Sequence, residues 1–378
     1  MIKILFMIHD LGVGGAEKVL VNLVNHMDTS KFDITVISLF GGGVNEQFLN
    51  KNIHLKNIFK KSFRGNSIVM KLFTPQFLHK MFVKEKYDIE VSYLEGPSAR
   101  IISGCPNKET RLVSWIHVEQ HTTDVAAKAF RSYKESVKCY SRFHQTVCVS
   151  DYVRKDFQSI YPEISNVIVL YNTNETEQIF IQKDEEIENE EVFRDGEIRL
   201  VGVGKIMPIK GFDKLARIHK RLKDDGYPVH TYVLGVGPER PKIESFLKQN
   251  NLEDSFTFLG YQTNPYKYVA KCDLFVCASI AEGFSTAATE ALIVGTPVCT
   301  VDVSGMKEML GENNEYGIVT ENSENALYEG MKILLDKPEL LQHYKEQAIV
   351  RGQLFSTENT VKAVEEMFAN GKYMKHIN

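Results

Sequence analysis

Ile2-Lys3-Ile4-Leu5-Phe6-Met7-Ile8 runs through His9-Asp10-Leu11 into Gly12-Val13-Gly14-Gly15-Ala16-Glu17, and this succession of apolar run, glycine turn and helix decides the fold class. Seven residues with hardly a polar break read as a strand buried on both faces. Val19, Leu20, Leu23, Val24 and Met27 then keep helical spacing, and Phe32 to Leu39 reads as the next strand. Short apolar runs follow at Ile89 to Leu94, Leu112 to Ile116, Thr146 to Val149 and Val167 to Leu170. Strands separated by helical segments form a parallel sheet with helices on both faces. Residues 1–172 are therefore expected to form a Rossmann-like domain.

Residues 173–197 interrupt the pattern. Glu175, Glu177, Asp184, Glu185, Glu186, Glu188, Glu190, Glu191, Asp195 and Glu197 crowd a stretch with few large apolar side chains, which reads as a solvated acidic linker. The alternation restarts at Ile198 to Val203, Thr231 to Leu234, Phe256 to Leu259, Leu274 to Cys277 and Pro297 to Val301, with helical segments such as Phe212 to Leu222 and Thr286 to Val294 between them. Residues 198–378 are expected to form a second Rossmann-like domain, with the final helix packing back on the first. Two such α/β domains place a ligand cleft between the carboxyl ends of two parallel sheets.

The chain has 378 residues, which suits two cores at roughly 150 residues per domain. Its 43% apolar and 25% charged residues exclude disordered and collagen-like classes. Cys105, Cys139, Cys148, Cys272, Cys277 and Cys299 are scattered without a C-x-x-C pair, so neither a disulfide framework nor a zinc site is expected. No apolar run approaches the about 20 residues needed to cross a bilayer, and Ile2 to Ile8 lacks a cleavage site, so a cytoplasmic protein is expected. The net charge of −4 divides unevenly: residues 1–172 carry 22 basic and 16 acidic residues, and the remainder is acidic. An anionic ligand or surface is the natural partner of the first half.

Three strands run into a G-x-G turn, at Gly12 and Gly14, Gly202 and Gly204, and Gly235 and Gly237. Glu17, Met207 and Arg240 stand at the third position of the dinucleotide fingerprint, which disfavours a nicotinamide dehydrogenase. Each turn is open to two readings, a tight turn or a cradle for phosphate oxygens. Lys205 and Lys210 share the loop after Ile198 to Val203, where two ammonium groups can hold a diphosphate. In Ala281-Glu282-Gly283-Phe284-Ser285-Thr286-Ala287-Ala288-Thr289-Glu290, one carboxylate lies in a loop and the other about a turn into a helix. Carboxylates accept hydrogen bonds from sugar and ribose hydroxyls, and amides of the turn can meet phosphate oxygens.

Glu282 to Glu290 is an E-x-seven-E motif. Together with Gly14-Gly15-Ala16-Glu17, the segment Lys205 to Asp213, and Gly295-Thr296-Pro297-Val298, it makes the chain resemble the family-four retaining glycosyltransferases of the GT-B fold over nearly its whole length. One departure is Lys205, where the family usually has arginine; the charge is kept and the bidentate fork is lost.

The resemblance implies an acceptor-binding first domain and a nucleotide-sugar-binding second one. Glu290 would hydrogen-bond the nucleotide ribose and Glu282 the sugar hydroxyls, while Lys205 and Lys210 neutralise the diphosphate. Amides at Gly283, Phe284, Ser285 and Thr286, with Gly204, would contact phosphate or sugar. Gly14 and Gly15 would close over the β-phosphate, and the backbone at Gly260 and Tyr261 would meet the base. His117, after Ser114-Trp115-Ile116, matches the family's histidine beside the reacting sugar. His9 and His121 read as structural.

The implied activity is transfer of a hexose or N-acetylhexosamine from a nucleotide sugar, expected to be UDP-linked, to a growing and lipid-linked saccharide in bacterial surface polysaccharide. Front-face attack within an ion pair is the retaining route the family favours. No metal or other cofactor is expected, since no Asp-x-Asp ends a strand. An epimerase or phosphorylase on the same fold, or a non-catalytic nucleotide-sugar-binding partner, is the alternative. Nucleic acid is not expected as a partner, because no recognition motif supports it.

Residues 41–86 match no family feature. Between Lys56 and Lys86, the residues Lys56, Lys60, Lys61, Arg64, Lys71, Lys80, Lys84 and Lys86 are interleaved with Phe59, Phe63, Phe73, Phe77 and Phe82, and only Glu85 opposes them. A basic, aromatic-bearing segment suits the surface of an anionic membrane. Pro75 interrupts it, which predicts two short helices rather than one.

Overall fold

The computed structural model describes residues 1–63, 66–188 and 193–370. Arg64, Glu190 and Glu191, named above, lie outside the described residues. The chain divides into two compact units, one of residues 1–174 with the segment from Thr357 onward, the other spanning Glu175–Ser356.

The first unit holds β1 (Ile2–Asp10), β2 (Phe32–Phe40), β3 (His54–Phe59), β4 (Ile89–Ser92), β5 (Arg111–Ile116), β6 (Gln145–Cys148) and β7 (Val167–Val169) in the order β3-β2-β1-β4-β5-β6-β7. Every neighbouring pair is parallel. Ile4 through Ile8 are fully buried, as a central strand covered on both faces requires. The strand order reverses between β1 and β4, so the chain leaves these neighbours in opposite directions and opens a crevice at their carboxyl ends. Strand β3 lies at the edge of the sheet, half-exposed, and its mixed His54-Leu55-Lys56-Asn57 start hides it from an apolar-run reading.

The final helix, Thr357–Asn370, belongs to this first unit although it follows the second in the chain. Phe368 packs edge-on against Phe6 and Phe32, and Arg111 Nη1 donates to the carbonyl of Met367 at 2.7 Å.

The second unit holds β8 (Ile198–Val203), β9 (Val229–Leu234), β10 (Phe256–Gly260), β11 (Leu274–Cys277), β12 (Val298–Val301) and β13 (Ile318–Thr320) in the order β10-β9-β8-β11-β12-β13, again all parallel. Its order reverses between β8 and β11. The three-residue β13 is too short to show a periodic signal.

Residues 173–197 are not a bare linker. Thr176–Gln182 is a helix of the second unit, and Ile179, an apolar residue among the acids, is buried with Tyr266 and Ile293. Asn264 Nδ2 ties down the following turn by donating to the carbonyl of Gln182 and to Glu185 at 2.8 Å each. Burial of Ile179 and the amide of Asn264 thus order part of a stretch whose charge suggests solvation.

All six cysteines are buried and free. Burial pushes the thiols of Cys139, Cys148, Cys272, Cys277 and Cys299 upward, so they stay protonated at neutral pH.

Candidate active site

The switch between β8 and β11 explains why two distant segments meet. Lys210 ends the loop after β8, and Ser279 and Glu282 lie in the loop after β11. Lys210 Nζ reaches Glu282 Oε1 at 2.6 Å, and Ser279 Oγ donates to the same oxygen at 2.6 Å. The Glu282 side chain is 10% exposed and that of Lys210 30%, so the pair is screened less than a surface salt bridge yet remains reachable. A backbone bond from Ile280 N to the carbonyl of Ile209, 2.8 Å, joins the two loops directly. Gly211 makes this approach possible, because it is left-handed (φ 64°) and a Cβ there would lie 2.1 Å from the carbonyl oxygen of Ala278.

The helix Thr286–Val294 begins beside Glu282. Ser285 caps it, its Oγ accepting from Ala288 N at 3.3 Å, while the amides of Ser285 and Thr286 donate to none of the described residues. Unpaired amides at a helix start attract anions. Glu290 lies one turn further along, half-buried, and its Oε1 accepts from the hydroxyl of Tyr266 at 3.1 Å. Lys205 is exposed and its ammonium pairs with none of the described residues.

The glycine turns of this unit prove to be points of backbone contact. Gly204 N donates to the carbonyl of Leu234, and Gly235 N to that of Gly260 at 2.7 Å. A Cβ on Gly235 would lie 1.9 Å from the carbonyl of Gly204, and one on Gly237 2.3 Å from that of Ile206. The loops after β8, β9 and β10 are stacked so closely that side chains do not fit between them. Gly260 closes this stack with positive φ, and Tyr261 after it is exposed.

In the first unit, Gly14 is the N-cap of the helix Gly15–His26, and Glu17 folds back over it. His117 follows β5. Its imidazole is buried, stacked at 4.9 Å from the Tyr93 ring, and its Nε2 has no hydrogen-bond partner among the described residues. A hydrogen bond to the Tyr93 backbone favours the charged ring. Burial lowers the His117 pKa to about 3, against that hydrogen bond, so the ring is neutral throughout the working range.

Glu95, after β4, was not evident from the sequence. Its Oε2 accepts from the backbone N–H of His117 at 3.0 Å, and burial raises its carboxyl above the ordinary range despite this bond. The available signal was its place just beyond a strand that neighbours β1. His9 and His121 take structural positions: His9 Nδ1 lies 2.8 Å from Asp10, whose other oxygen accepts from Gly12 N, and the amide of His121 is held by Asp156.

The fold also gathers His79, Glu90 and Cys105, which no sequence spacing reveals. His79 Nε2 lies 2.7 Å from Glu90 Oε2, and Cys105 Sγ donates to Glu90 Oε1 at 3.6 Å. All three are buried and satisfy one another.

Among the described residues, no helix is long and apolar enough to cross a membrane. Residues 13–178 match the family model described as Glycosyltransferase Family 4, and residues 183–351 match that of Glycosyl transferases group 1. A Campylobacter jejuni protein named N-acetylgalactosamine-N,N'-diacetylbacillosaminyl-diphospho-undecaprenol 4-alpha-N-acetylgalactosaminyltransferase is 27% identical over 372 residues, covering 93% of this chain and 95% of the relative. Among solved structures, Anabaena HepE in complex with UDP and glucose aligns over 98% of this chain and 100% of its own with a TM-score of 0.77 at 17% identity. A Rickettsia africae glycosyltransferase aligns over 98% of each chain with a TM-score of 0.79 at 16% identity. With each unit matched by its own model and the whole chain by these folds, the chain belongs to Glycosyltransferase Family 4 and is a glycosyltransferase of the GT-B fold.

Proposed function

We propose that the protein moves a hexose or N-acetylhexosamine, with retention, from a UDP-linked donor to a lipid-linked saccharide, without a divalent ion. The observation that carries this reading is the Lys210–Glu282 pair beside the unpaired amides of Ser285 and Thr286. Breaking the anomeric bond leaves negative charge on the β-phosphate. Lys210 and Lys205, which follow β8, and the amides, which follow its neighbour β11, stabilise it in this reading. Glu282 holds Lys210 in place and offers its remaining lone pairs to sugar hydroxyls, and Glu290 does the same for the ribose. From the first unit, His117 is assigned the acceptance of a sugar hydroxyl at Nε2, and Gly14 and Gly15 a contact to the β-phosphate, as the family resemblance implies. The base sits against the backbone of Gly260 and Tyr261, with Gly204, Gly283 and Phe284 shaping the phosphate and sugar contacts.

The departing phosphate takes the acceptor's proton in a front-face attack, so no protein base is needed. The Campylobacter relative's name supports a diphospho-undecaprenol-borne saccharide as acceptor, and the UDP complex of HepE supports UDP. A Rhizobium meliloti relative, 27% identical over 141 residues, is named a lipopolysaccharide core biosynthesis glycosyltransferase, which supports a role in bacterial surface glycan. An acceptor of this kind fits an enzyme working in the cytoplasm on the inner membrane face, with the Lys56–Lys86 segment as the attachment.

A thermal-shift panel of nucleotide sugars tests the reading. UDP-sugars should raise the midpoint in the presence of chelator, and Glu290→Ala should abolish the response. An unchanged response removes Glu290 from the site. Activity lost to chelator and restored by magnesium overturns metal independence, and a covalent glycosyl-Glu282 species overturns front-face attack. Donor turnover without acceptor would point to an epimerase.

A further inference from the structure

The segment Ile68 to Met81 breaks the rule that a surface helix turns its polar side to water. Two short helices, Asn66–Lys71 and Pro75–Phe82, flank a turn. Leu78, His79 and Phe82 fill the inner face of the second helix, yet Phe77 and Met81 are exposed on its outer face. Ile68, Val69, Leu72 and Phe73 join them, with Leu72 73% and Ile68 69% exposed. Phe73 and Phe77 stack at 5.0 Å, so the exposed rings form one surface. Scattered exposed apolar residues need no explanation, but six within fourteen residues do.

The turn that carries the most exposed of them is firmly held. Helix ends leave carbonyls without partners. Here Arg100 donates to those of Met70 at 2.8 Å and Phe73 at 2.7 Å, and Arg131 to those of Lys71 at 2.6 Å and Leu72 at 3.0 Å. Glu135 clasps the guanidinium of Arg100 through both oxygens and accepts from Arg131 N. Arg100 is 1% exposed, a buried cation whose donors serve this turn. Two arginines thus fix four successive carbonyls beneath an apolar tip. Lys80 is exposed within this segment and Lys60, Lys61, Lys84 and Lys86 on either side of it, Lys84 Nζ donating to the carbonyl of Lys80 at 3.0 Å, whereas Lys56 is already paired with Glu85.

We propose that Ile68, Val69, Leu72, Phe73, Phe77 and Met81 form a pre-set tip that inserts into the interface of a bilayer containing anionic lipid, while the neighbouring lysines engage the headgroups. This deepens the lipid-linked-acceptor reading and rests on it for its purpose, though not for its test. The charge decides the occupant: an exposed apolar tip in a stretch of chain whose exposed lysines form no salt bridge with the described residues is complementary to an anionic headgroup layer. Pre-setting removes the ordering cost that a floppy apolar loop would meet on insertion.

Flotation with vesicles of phosphatidylcholine and phosphatidylglycerol tests it. The full-length protein should float, and Leu72→Ser with Phe73→Ser should weaken partitioning about tenfold at an unchanged thermal midpoint. Lys80→Ala with Lys84→Ala should remove mainly the salt-sensitive part of binding. Transfer to a water-soluble acceptor should be untouched by either pair. Equal flotation of the serine variant, or no flotation of the parent, overturns the proposal, as does a dimer in size-exclusion that the serine pair dissociates. Flotation without transfer activity leaves the tip intact and counts against the catalytic reading alone.

Discussion

Lys210 and Glu282 lie 72 positions apart in the chain and meet at 2.6 Å, because β8 and β11 are neighbours in the sheet and their following loops are joined backbone to backbone. The ammonium proposed to face a diphosphate is therefore shared with a carboxylate. Lys210→Ala should cost both functions, lowering kcat/KM by about 100- to 1,000-fold, as loss of one charge-stabilising group does. Lys210→Arg should recover part of it. Glu282→Gln should retain or tighten binding of UDP itself, since it frees Lys210, while transfer falls by a similar factor. Calorimetry with UDP alongside steady-state transfer separates the two; UDP binding lost in Glu282→Gln would show that the carboxylate serves chiefly to position the lysine.

His117 should not titrate in any assay. With its pKa lowered to about 3 by burial, it is neutral above pH 4, and the acid limb of the rate profile belongs to other groups. His117→Gln should lower the rate without moving the pH at which activity falls. A limb near pH 6.5 that vanishes in the variant would contradict the buried, neutral ring.

His79 carries the opposite prediction. Burial pulls its pKa down, but hydrogen bonds to Cys105 and Glu90 outweigh it and hold the value at about 9. A group whose folded pKa exceeds its unfolded value of about 6.5 contributes stability that is complete below pH 6.5 and lost as pH rises through 9. The amount is on the order of 3 kcal/mol. Denaturant unfolding at pH 6 and pH 9.5 should show this loss in the parent, and His79→Gln, less stable at pH 6, should show a much smaller one.

The strand–turn–helix alternation was readable because central parallel strands are apolar on both faces, as Ile4 to Ile8 are. Edge strands escape that signal: β3 is half polar and β13 is three residues long. The helix at Thr176–Gln182 was masked by the acidic run that follows it, although it carries only Glu177 itself and buries Thr176 and Ile179. Glu282, Glu290 and Lys210 could be named from spacing, while Glu95 could not, because its relation to His117 exists only once β4 and β5 are paired. Likewise the apolar tip needed exposures, for aromatic residues in a sequence point inward by default.

Gly235→Ala should show what the stacked loops are for. Its φ of 146° and the 1.9 Å approach of a Cβ to the Gly204 carbonyl leave no room for a methyl group. The substitution must push the Gly204–Lys210 loop away from β9, at a cost of about 2–4 kcal/mol. Donor-induced thermal shift should shrink beyond what the lower midpoint explains, because the lysines move with the loop. A destabilised variant with undiminished UDP affinity would detach that loop from the diphosphate.

Lys205→Arg tests the same loop from its other end. Lys205 is exposed and unpaired among the described residues, so the change disturbs no existing contact. An arginine offers a planar fork to two phosphate oxygens where the ammonium offers a point charge. If Lys205 faces the diphosphate, the variant should bind UDP about three- to tenfold more tightly, with a steeper salt dependence unchanged in sign, while the midpoint of the free protein stays where it was. Slower product release would then lower kcat even as KM falls. Identical UDP affinity in the two proteins, measured at low salt, would place Lys205 outside the site and leave Lys210 as its cation.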